Sequence, residues 1–409
     1  MKPKHLIVIG GGASGVFCAV NAAAMSPGLQ VTVLEKTHRL LSKVEVSGGG
    51  RCNVTHHSND IDEMSACYPR GRHFVRKAFH QFFITDTIAW FGERGVPIIS
   101  EADGRMFPST NTSSTIIRCL LSEAERHAVR FRLRSEVSGI QVASTGFRVL
   151  LTDGSELVAD FIFIACGGLQ KSAASEWIAA TGHEIVPSAP SLFTFNLPGH
   201  PIVRLMGVSV PETSIRIEGM KFRSEGPVLI THWGLSGPGI LKLSAFAARE
   251  LQTAGYKFRV IIDWLPSLSR EEMHAHIRLQ RADRGGQVVH ARSLFGFPTR
   301  LWQFLLEVVG VTPDCRWADL PSSRQSALVE LLKGHMFEVS GKTTFKEEFV
   351  TAGGVSTRQV DPSSMQSRLV DGLYFGGELL DVDGITGGYN FQHAWTSGWV
   401  AARHISGRV

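Results

Sequence analysis

The sequence has 409 residues, of which 43% are hydrophobic and 19% charged, with a formal net charge of +5 and a pI of about 8.9. This length exceeds a single ordinary core, so two or three domains are expected, and the composition excludes a disordered or membrane-spanning chain. The six cysteines form no C-x-x-C pair, and the sixteen histidines show no ligand spacing with cysteines or carboxylates. We therefore expect reduced thiols in a cytoplasmic protein, with no metal site and no membrane association.

The first predicted element is a βαβ unit. Residues 6–9 form a short β-branched run typical of a buried strand, residues 16–25 favour a helix, and residues 31–34 predict a second strand. The glycines between the first strand and the helix follow the G-x-G-x-x-G spacing. A lone match of this kind also fits an ordinary turn, but strand, glycines, helix and strand occur here in order.

Each glycine of that spacing has a physical role in binding a dinucleotide. Gly10 permits the tight turn, Gly12 lets the backbone approach a pyrophosphate, and Gly15 allows close packing of the helix on the sheet. The pyrophosphate is expected at the helix N-terminus. Glu35 ends the second strand, where it can accept hydrogen bonds from a ribose hydroxyl.

A second glycine-rich segment, SGGGRCN at residues 47–53, lies in a predicted loop over residues 37–57. Consecutive glycines such as Gly49 let backbone lie against a flat or charged ligand. Arg51 can pair with a phosphate, and Asn53 can bond a ring edge. A flexible surface turn is the alternative, but the position directly after Glu35 favours cofactor contact.

The middle of the first domain is predicted to contain two helices, a loop and several strands. The helices cover residues 74–94 and 113–127, with a loop at 97–108 between them; strands are predicted at 130–134, 135–142, 147–152 and 157–164. The last strand runs into Ala165-Cys166-Gly167-Gly168, which predicts another close approach of backbone to the same cofactor.

Beyond residue 190 the pattern changes to short strands and turns, and then to helices rich in arginine. The glycine-rich style of the first domain returns at TAGGV (351–355), GGE (376–378) and GGYN (387–390), the last just before a predicted terminal helix. The predicted segments are a first cofactor domain at 1–190, a β-rich insertion at 191–268, a helical insertion at 269–335, a return through the β-rich domain at 336–350, and the second part of the cofactor domain at 351–409.

The motifs together resemble one family of flavoproteins. GGGASG (10–15), SGGGRCN (47–53), THWGLSGPG (231–239), TAGGV (351–355) and GGELLDVDGITGGYNFQHAW (376–395) are similar to those of the BaiN/RdsA-type flavoproteins, also known as aminoacetone-oxidase-family FAD-binding enzymes. These are relatives of the two-dinucleotide-binding-domain flavoproteins, and the resemblance runs nearly end to end. It implies an α/β fold with a Rossmann-like FAD domain built from both chain ends and inserted β-barrel-like and helical subdomains.

The resemblance and the glycine segments assign FAD contacts to both parts of the predicted cofactor domain, so that FAD is held along its whole length. The implied diphosphate contacts are Gly12, Ala13 and Ser14, with Val137 at the adenine. The full set of predicted FAD-binding residues is Gly10, Gly12, Ala13, Ser14, Gly15, Glu35, Lys36, Gly49, Arg51, Cys52, Asn53, Val137, Ala165, Gly167, Gly168, Gly377, Glu378, Asp381, Gly387, Gly388, Tyr389 and Asn390.

The chemistry expected is hydride transfer at flavin N5, with the protein supplying position and electrostatics. His232, Tyr389 and Asn390 are candidate catalytic residues, and Trp233 and His393 are candidates to line the substrate site. Each can equally be a packed structural residue. A second strand–glycine–helix unit for NAD(P)H is not found in the sequence, so a reduced nicotinamide is expected only as a transient reductant.

Three functions remain open from the sequence. The first is an FAD-dependent oxidoreductase that reduces an unsaturated small molecule or oxidises a small molecule. The second, implied by the resemblance, reduces uridine in ribosomal RNA to dihydrouridine, with arginines between Arg270 and Arg300 on phosphates. The third is a flavin-bearing binding or sensor protein. The sequence predicts neither the oligomeric state nor the substrate.

Overall fold

The computed structural model describes residues 3–169, 173–343 and 350–409. The chain divides into two compact units: unit 1 combines Met1–Ser191 with Lys346–Val409, and unit 2 spans Leu192–Phe345. In the described residues, no helix is both long enough and apolar enough to cross a membrane.

The strands are β1 (His5–Ile9), β2 (Gln30–Leu34), β3 (Thr55–His56), β4 (Ile98–Ser100), β5 (Arg105–Pro108), β6 (Arg130–Arg132), β7 (Val137–Val142), β8 (Phe147–Leu151), β9 (Glu156–Ala159), β10 (Phe161–Ile164), β11 (Ile185–Ser191), β12 (Thr194–Asn196), β13 (Ser209–Val210), β14 (Ser214–Ile217), β15 (Arg223–Glu225), β16 (Val228–Ile230), β17 (Gly234–Ser236), β18 (Lys257–Asp263), β19 (His335–Ser340), β20 (Lys342–Thr343), β21 (Val350–Val355) and β22 (Leu373–Phe375).

The helices are α1 (Ala13–Met25), α2 (Ser42–Gly50), α3 (Ile61–Ala66), α4 (Arg72–Phe79), α5 (Ile84–Gly92), α6 (Ser113–Arg126), α7 (Ala174–Ala179), α8 (Pro238–Phe246), α9 (Ala248–Thr253), α10 (Arg270–Arg284), α11 (Thr299–Val308), α12 (Ser322–Gly334) and α13 (Tyr389–Ser406). Short 3-10 helices lie at Pro201–Leu205, Val289–Ala291, Thr357–Gln359 and Gly377–Leu379.

The central sheet of unit 1 is parallel, with the order β22-β10-β1-β2-β6. Its middle strand β1 pairs with β2 and β10, and its Leu6, Ile7 and Val8 side chains are fully buried. A short apolar run buried on both faces is typical of a parallel sheet covered by helices. The predicted Rossmann-like α/β fold is confirmed.

The two ends of the chain meet where α1 packs against α13. A Cβ on Gly398 of α13 would lie 2.7 Å from the Ser14 carbonyl oxygen of α1, so the glycine allows close contact between the two backbones. C-terminal residues also contribute the edge strand β22 to the central sheet. The cofactor sheet of unit 1 therefore contains both ends of the chain.

Two local predictions in unit 1 are wrong. The predicted helix at 74–94 is two helices, α4 and α5, because the backbone is extended at Phe83, where Asp86 Oδ2 accepts from the Phe83 N–H (2.7 Å) and starts the second helix. The Phe82 carbonyl between the two helices accepts from Thr396 Oγ1 of α13 (2.9 Å). The predicted loop at 97–108 contains the paired strands β4 and β5, and β5 also pairs with β3. The contacts of Phe82 with α13 and of β5 with β3 join segments that are distant in the sequence.

Unit 2 has its own hydrophobic core between two antiparallel sheets and helices. The sheet orders are β13-β16-β17-β12-β20 and β15-β14-β18-β19. Trp264 and Trp302 are fully buried in this core, together with residues from α10, α11 and α12. Residues 208–218 contain the two short strands β13 and β14 with a turn between them.

Candidate cofactor site

The glycine turn between β1 and α1 is closely packed at Gly10 and Gly15 and open at Gly12. Gly10 has φ of +112°, and a Cβ there would lie 2.3 Å from the Ala165 carbonyl oxygen; a Cβ on Gly15 would lie 2.0 Å from the Gly10 carbonyl oxygen. A Cβ on Gly12, in contrast, would meet no atom within 4 Å. Gly10 and Gly15 are thus needed by the fold, whereas Gly12 borders open space at the start of α1.

The N-terminus of α1 is electrostatically suited to an anion. The helix begins at Ala13 after Gly12, no side chain caps it, and its first turn contains no acidic residue. Unbonded N–H groups and the helix dipole both favour a phosphate at such a position. This arrangement fits the diphosphate contacts predicted at Gly12, Ala13 and Ser14.

Glu35 lies beside this turn. Its carboxylate accepts from the Gly11 N–H (2.9 Å) and the Thr37 N–H (2.8 Å), which fixes its position while leaving further lone pairs for a ribose hydroxyl. Lys36 is exposed. The backbone N–H of Ser135 bonds the Glu35 carbonyl (2.9 Å), which brings the segment leading to the predicted adenine contact, Val137, near the ribose end.

Open space also borders two other predicted glycines. A Cβ on Gly49 or Gly167 would meet no atom within 4 Å. Gly168 differs, because a Cβ there would lie 2.5 Å from Thr351 Oγ1. Ala165 is buried, and its N–H bonds the Ile9 carbonyl (2.8 Å) at the end of the central strands.

The predicted loop around SGGGRCN begins as a helix. Residues from Ser42 form the first turn of α2, and the helical backbone is interrupted at Ser47, Gly48 and Gly49. Arg51 donates to Glu101 Oε1 (2.7 Å), and its guanidinium carbon lies 3.9 Å from the centre of the Phe107 ring. Its charge is therefore already paired here.

Cys52 is fully buried, and burial raises the pKa of its thiol to about 12. Its backbone has φ of +60°, a conformation that costs energy for a non-glycine residue. A buried neutral thiol is a poor nucleophile. The structure gives Cys52 a packing position next to the glycine segment rather than the surroundings of a redox thiol.

Asn53 and Gly388 connect the glycine segment to the start of α13. The Asn53 amide, assigned with its nitrogen towards the Thr55 carbonyl (2.9 Å), accepts from the Gly388 N–H (3.1 Å). Gly388 has φ of +98°, and a Cβ there would lie 2.4 Å from the Thr55 carbonyl oxygen. Gly388 is therefore required by close backbone packing, in addition to the cofactor contact predicted for the glycine pair before α13.

Aromatic rings surround the start of α13. The His56 ring stacks on Tyr389, with centroids 4.7 Å apart, and His56 Nδ1 bonds the Gly387 carbonyl (3.0 Å). Tyr68 Oη donates to the Tyr389 carbonyl (2.6 Å). Burial raises the pKa of Tyr389 and lowers that of His56. Sequence reasoning missed His56 and Tyr68, since only the fold brings them to Tyr389.

Asn390 has both polar side-chain atoms engaged. Its Oδ1 accepts from the Gly384 N–H (2.8 Å), and its Nδ2 donates to the Gly384 carbonyl (2.9 Å). The side chain thus closes the loop that precedes α13. The Asn390 amide therefore has a structural role in this loop. A catalytic role for Asn390 stays a prediction.

A polar cluster joins α1, the Gly377–Leu379 turn and α13. Ser14 Oγ lies 3.2 Å from Ser397 Oγ, and Ser397 Oγ accepts from the Gly377 N–H (2.9 Å). His393 Nε2 lies 3.2 Å from the Gly377 carbonyl oxygen. These residues, which we call the Gly377 clamp (Ser14, Gly377, His393 and Ser397), link three of the predicted cofactor segments.

The two predicted carboxylates after Gly377 bond to strand β21. Glu378 accepts from the Thr351 N–H (2.9 Å) and pairs with Lys43 Nζ (2.5 Å). Asp381 accepts from the Gly353 N–H (3.1 Å). The TAGGV motif is therefore the strand on which both carboxylates are held.

A buried ion pair between Arg70 and Asp383 supports the same region and was missed by sequence reasoning. The guanidinium binds both oxygens of the Asp383 carboxylate, which is fully buried and also accepts from Ser191 Oγ (2.8 Å). Burial raises the pKa of Asp383, and Arg70 opposes that effect. The Asp in DVDG was visible in the sequence, but its distant partner was not.

The remaining predicted residues belong to unit 2. The His232 ring packs edge-on against Trp233, with centroids 4.2 Å apart, and Trp233 Nε1 donates to Thr194 Oγ1 (3.0 Å). In the described residues, no group of histidine, cysteine, aspartate or glutamate side chains could hold a metal ion.

The described residues of unit 1 fit FAD. Two uncapped helix N-termini without acidic residues in their first turns, α1 and α13, lie on segments joined by the Gly377 clamp. Backbone borders open space at Gly12, Gly49 and Gly167. A long ligand with a diphosphate in its middle and an electron-accepting ring at one end suits this arrangement.

Comparison with known proteins agrees with this fold. A family model described as the HI0933-like protein Rossmann domain matches residues 4–404. The chain is 30% identical over 414 residues to the 3-dehydro-bile acid delta(4,6)-reductase of Clostridium scindens, covering 98% of each. It is 32% identical over 415 residues to the ribosomal RNA dihydrouridine synthase of Escherichia coli, covering 99% of this chain and 98% of the relative.

Among solved structures, the 3-ketosteroid delta1-dehydrogenase of Sterolibacterium denitrificans matches with a TM-score of 0.53 at 13% identity, covering 99% of both chains. At that identity the likeness concerns the fold alone.

Proposed function

This chain belongs to the HI0933-like Rossmann family and is an FAD-dependent oxidoreductase; we propose that it reduces a carbon–carbon double bond conjugated to a carbonyl group. The observation that carries the proposal is the chemistry common to two relatives matched over nearly the whole chain. One is named as a reductase of an unsaturated 3-dehydro bile acid and the other as a synthase of dihydrouridine. Both names describe saturation of such a bond.

The reaction needs a hydride at the carbon distal to the carbonyl and a proton at the carbon beside it. FAD, when bound, supplies the hydride from N5 of its reduced ring. The N-terminus of α13, with Gly388 before it, favours negative charge on the ring or on the substrate carbonyl.

Tyr389 is the strongest of the three catalytic candidates as the proton donor. Its phenol stays protonated because burial raises its pKa, and the His56 stack and the start of α13 fix its position. Asn390 is occupied by Gly384, and His232 belongs to unit 2. In this proposal Tyr389 gives its phenolic proton to the substrate carbon and regains one from solvent.

The reductant in this proposal is NADH or NADPH, docking transiently at the ring. Unit 1 offers one glycine turn of the dinucleotide kind within its described residues, and FAD takes it. The proposal includes a cytoplasmic location, because reduced nicotinamides are available there.

A second candidate substrate is uridine in RNA, favoured by the 32% identity to the dihydrouridine synthase. Some of the arginines predicted to contact RNA already bond other groups of the protein. Arg270 pairs with Glu330, and Arg281 and Arg300 donate to backbone carbonyls. Arg278 and Arg292 remain exposed on the helical part of unit 2, where they could contact phosphates.

Anaerobic mixing tests the proposal and separates the two substrates. Purified protein is reduced with NADH or NADPH, followed by absorbance at about 450 nm, and is then mixed with an enone steroid, a small enone or unmodified ribosomal RNA. Reoxidation by an enone faster than by buffer supports the main proposal, and reoxidation by RNA alone supports the second candidate. If neither the enones nor the RNA reoxidise the flavin faster than buffer does, both proposed substrates are ruled out.

A further inference from the structure

His393 has an unusual position inside unit 1. Its ring is buried on α13, and Nε2 lies 3.2 Å from the Gly377 carbonyl oxygen. In the part of the chain that the structure describes, its Nδ1 is the buried side-chain nitrogen or oxygen without a hydrogen-bond partner. Leaving such a group unpaired costs about 1–3 kcal/mol, so a native chain that keeps one calls for an explanation.

The protonation state of the ring follows from its surroundings. Burial lowers the pKa of His393 to about 4, so the ring is neutral at pH 7 and carries one N–H. The Gly377 carbonyl can only accept, which places that hydrogen on Nε2. Nδ1 therefore presents a lone pair, and the partner that it lacks is an O–H or N–H donor.

The position of His393 selects the part of the cofactor that can supply the donor. Under the proposed function, the diphosphate lies at the start of α1 and the ring at the start of α13. His393 is one turn into α13 and bonds Gly377, which in turn lies against Ser14 of α1: a Cβ on Gly377 would be 3.0 Å from Ser14 Cβ. Between a diphosphate and an isoalloxazine, FAD has only the ribityl chain, whose polar groups are hydroxyls.

We propose that His393 is a positioning residue for FAD, whose Nδ1 accepts a hydrogen bond from a ribityl hydroxyl, directly or through one bridging water. The inference rests on the proposed function, since it requires FAD in that orientation. His393 then has two separate tasks. Nε2 holds the Gly377 peptide, and Nδ1 fixes the ribityl chain between the two helix N-termini.

Two substitutions separate these tasks. His393→Gln can keep a donor near the Nε2 position for the Gly377 carbonyl but has no acceptor at the Nδ1 position. His393→Asn keeps an acceptor near Nδ1 and loses the contact with Gly377. His404→Gln is the matched control, because His404 is on the same helix and bonds Tyr374 Oη (3.0 Å) outside the Gly377 clamp.

The measurement is the FAD dissociation constant of the apoprotein, from quenching of flavin fluorescence, together with the melting temperature. We expect His393→Gln to bind FAD about three- to tenfold more weakly, the usual value of one hydrogen bond, with an almost unchanged apoprotein melting temperature. His393→Asn should melt lower but bind FAD more tightly than His393→Gln. Equal FAD binding by His393→Gln and wild type would overturn the inference.

FAD analogues that each lack one ribityl hydroxyl complete the test. Wild type should bind one of these analogues three- to tenfold more weakly than it binds FAD. His393→Gln should bind that same analogue as well as it binds FAD. Equal losses in both proteins on every analogue would contradict the inference even if His393→Gln is unstable. Failure of wild type to bind FAD at all would instead refute the proposed function, so the two failures are distinguishable.

Discussion

The hydroxyl of Ser14 lies 3.2 Å from the hydroxyl of Ser397, although 383 residues separate them in the sequence. Ser14 belongs to the first turn of α1, and Ser397 holds the Gly377 N–H from α13. The contact shows that segments from the two ends of the chain pack together in unit 1.

Gly12→Ala should weaken FAD binding without harming the fold. Gly12 has φ of −85°, which alanine adopts, and a Cβ there meets no protein atom within 4 Å. The new methyl group would occupy space needed by the diphosphate, and we expect a loss of about 1–3 kcal/mol in FAD binding, the usual cost of overpacking.

The FAD dissociation constant and the apoprotein melting temperature check this prediction. Gly28→Ala is the control, because a Cβ on Gly28 also meets no atom within 4 Å and Gly28 lies outside the glycine turn. Unchanged FAD binding in Gly12→Ala would show that no ligand approaches this backbone.

Arg70→Met should destabilise unit 1. It leaves the fully buried Asp383 carboxylate without its cation, and breaking a buried pair in this way costs about 3–5 kcal/mol. Urea unfolding measures the loss. Arg76→Met is the control, since the Arg76–Asp62 pair is exposed and its removal should change stability little. A similar small change in both variants would contradict the structural role of Arg70.

The sequence predicted those parts of the candidate site that lie within one short segment of the chain. Gly10 and Gly15 follow directly from a strand, a tight turn and a helix, and the structure shows the contacts that exclude a side chain at each. Arg51 could not be placed in the same way, because its partner Glu101 lies on a hairpin that the sequence suggested was a loop. His56 likewise meets Tyr389 only through the fold.

Acid should destabilise unit 2 through His335. Burial lowers the pKa of His335 to about 3, compared with an ordinary value of about 6.5 in the unfolded chain. Below about pH 6.5 the unfolded state binds a proton that the folded state refuses, so the free energy of unfolding falls as pH falls, by up to about 1.4 kcal/mol per pH unit.

His335→Asn removes this titration and keeps an acceptor for Trp264 Nε1, which lies 3.2 Å from His335 Nδ1. Urea unfolding at a series of pH values from about 4.5 to 7.5 should give a shallower pH dependence in the variant than in wild type. Parallel curves would show that His335 does not contribute.

Cys52 should resist alkylation in the folded protein. Its thiol is fully buried, and burial raises its pKa to about 12, so almost no thiolate forms at pH 8. Iodoacetamide treatment followed by peptide mass spectrometry should place the label on the partly exposed Cys67 and Cys315 first. Rapid labelling of Cys52 would reveal a reactive thiol and reopen a redox role for it.

The most direct test of the central claim is a single-turnover reaction that needs no nicotinamide. The FAD-loaded protein is photoreduced without oxygen and mixed with an enone, and the oxidised flavin is followed at about 450 nm while the product is identified by mass spectrometry. We predict that the enone restores the absorbance and gains two hydrogens, whereas its saturated analogue has no effect. Absorbance that stays bleached with every conjugated carbonyl compound, uridine-containing RNA included, would contradict the account.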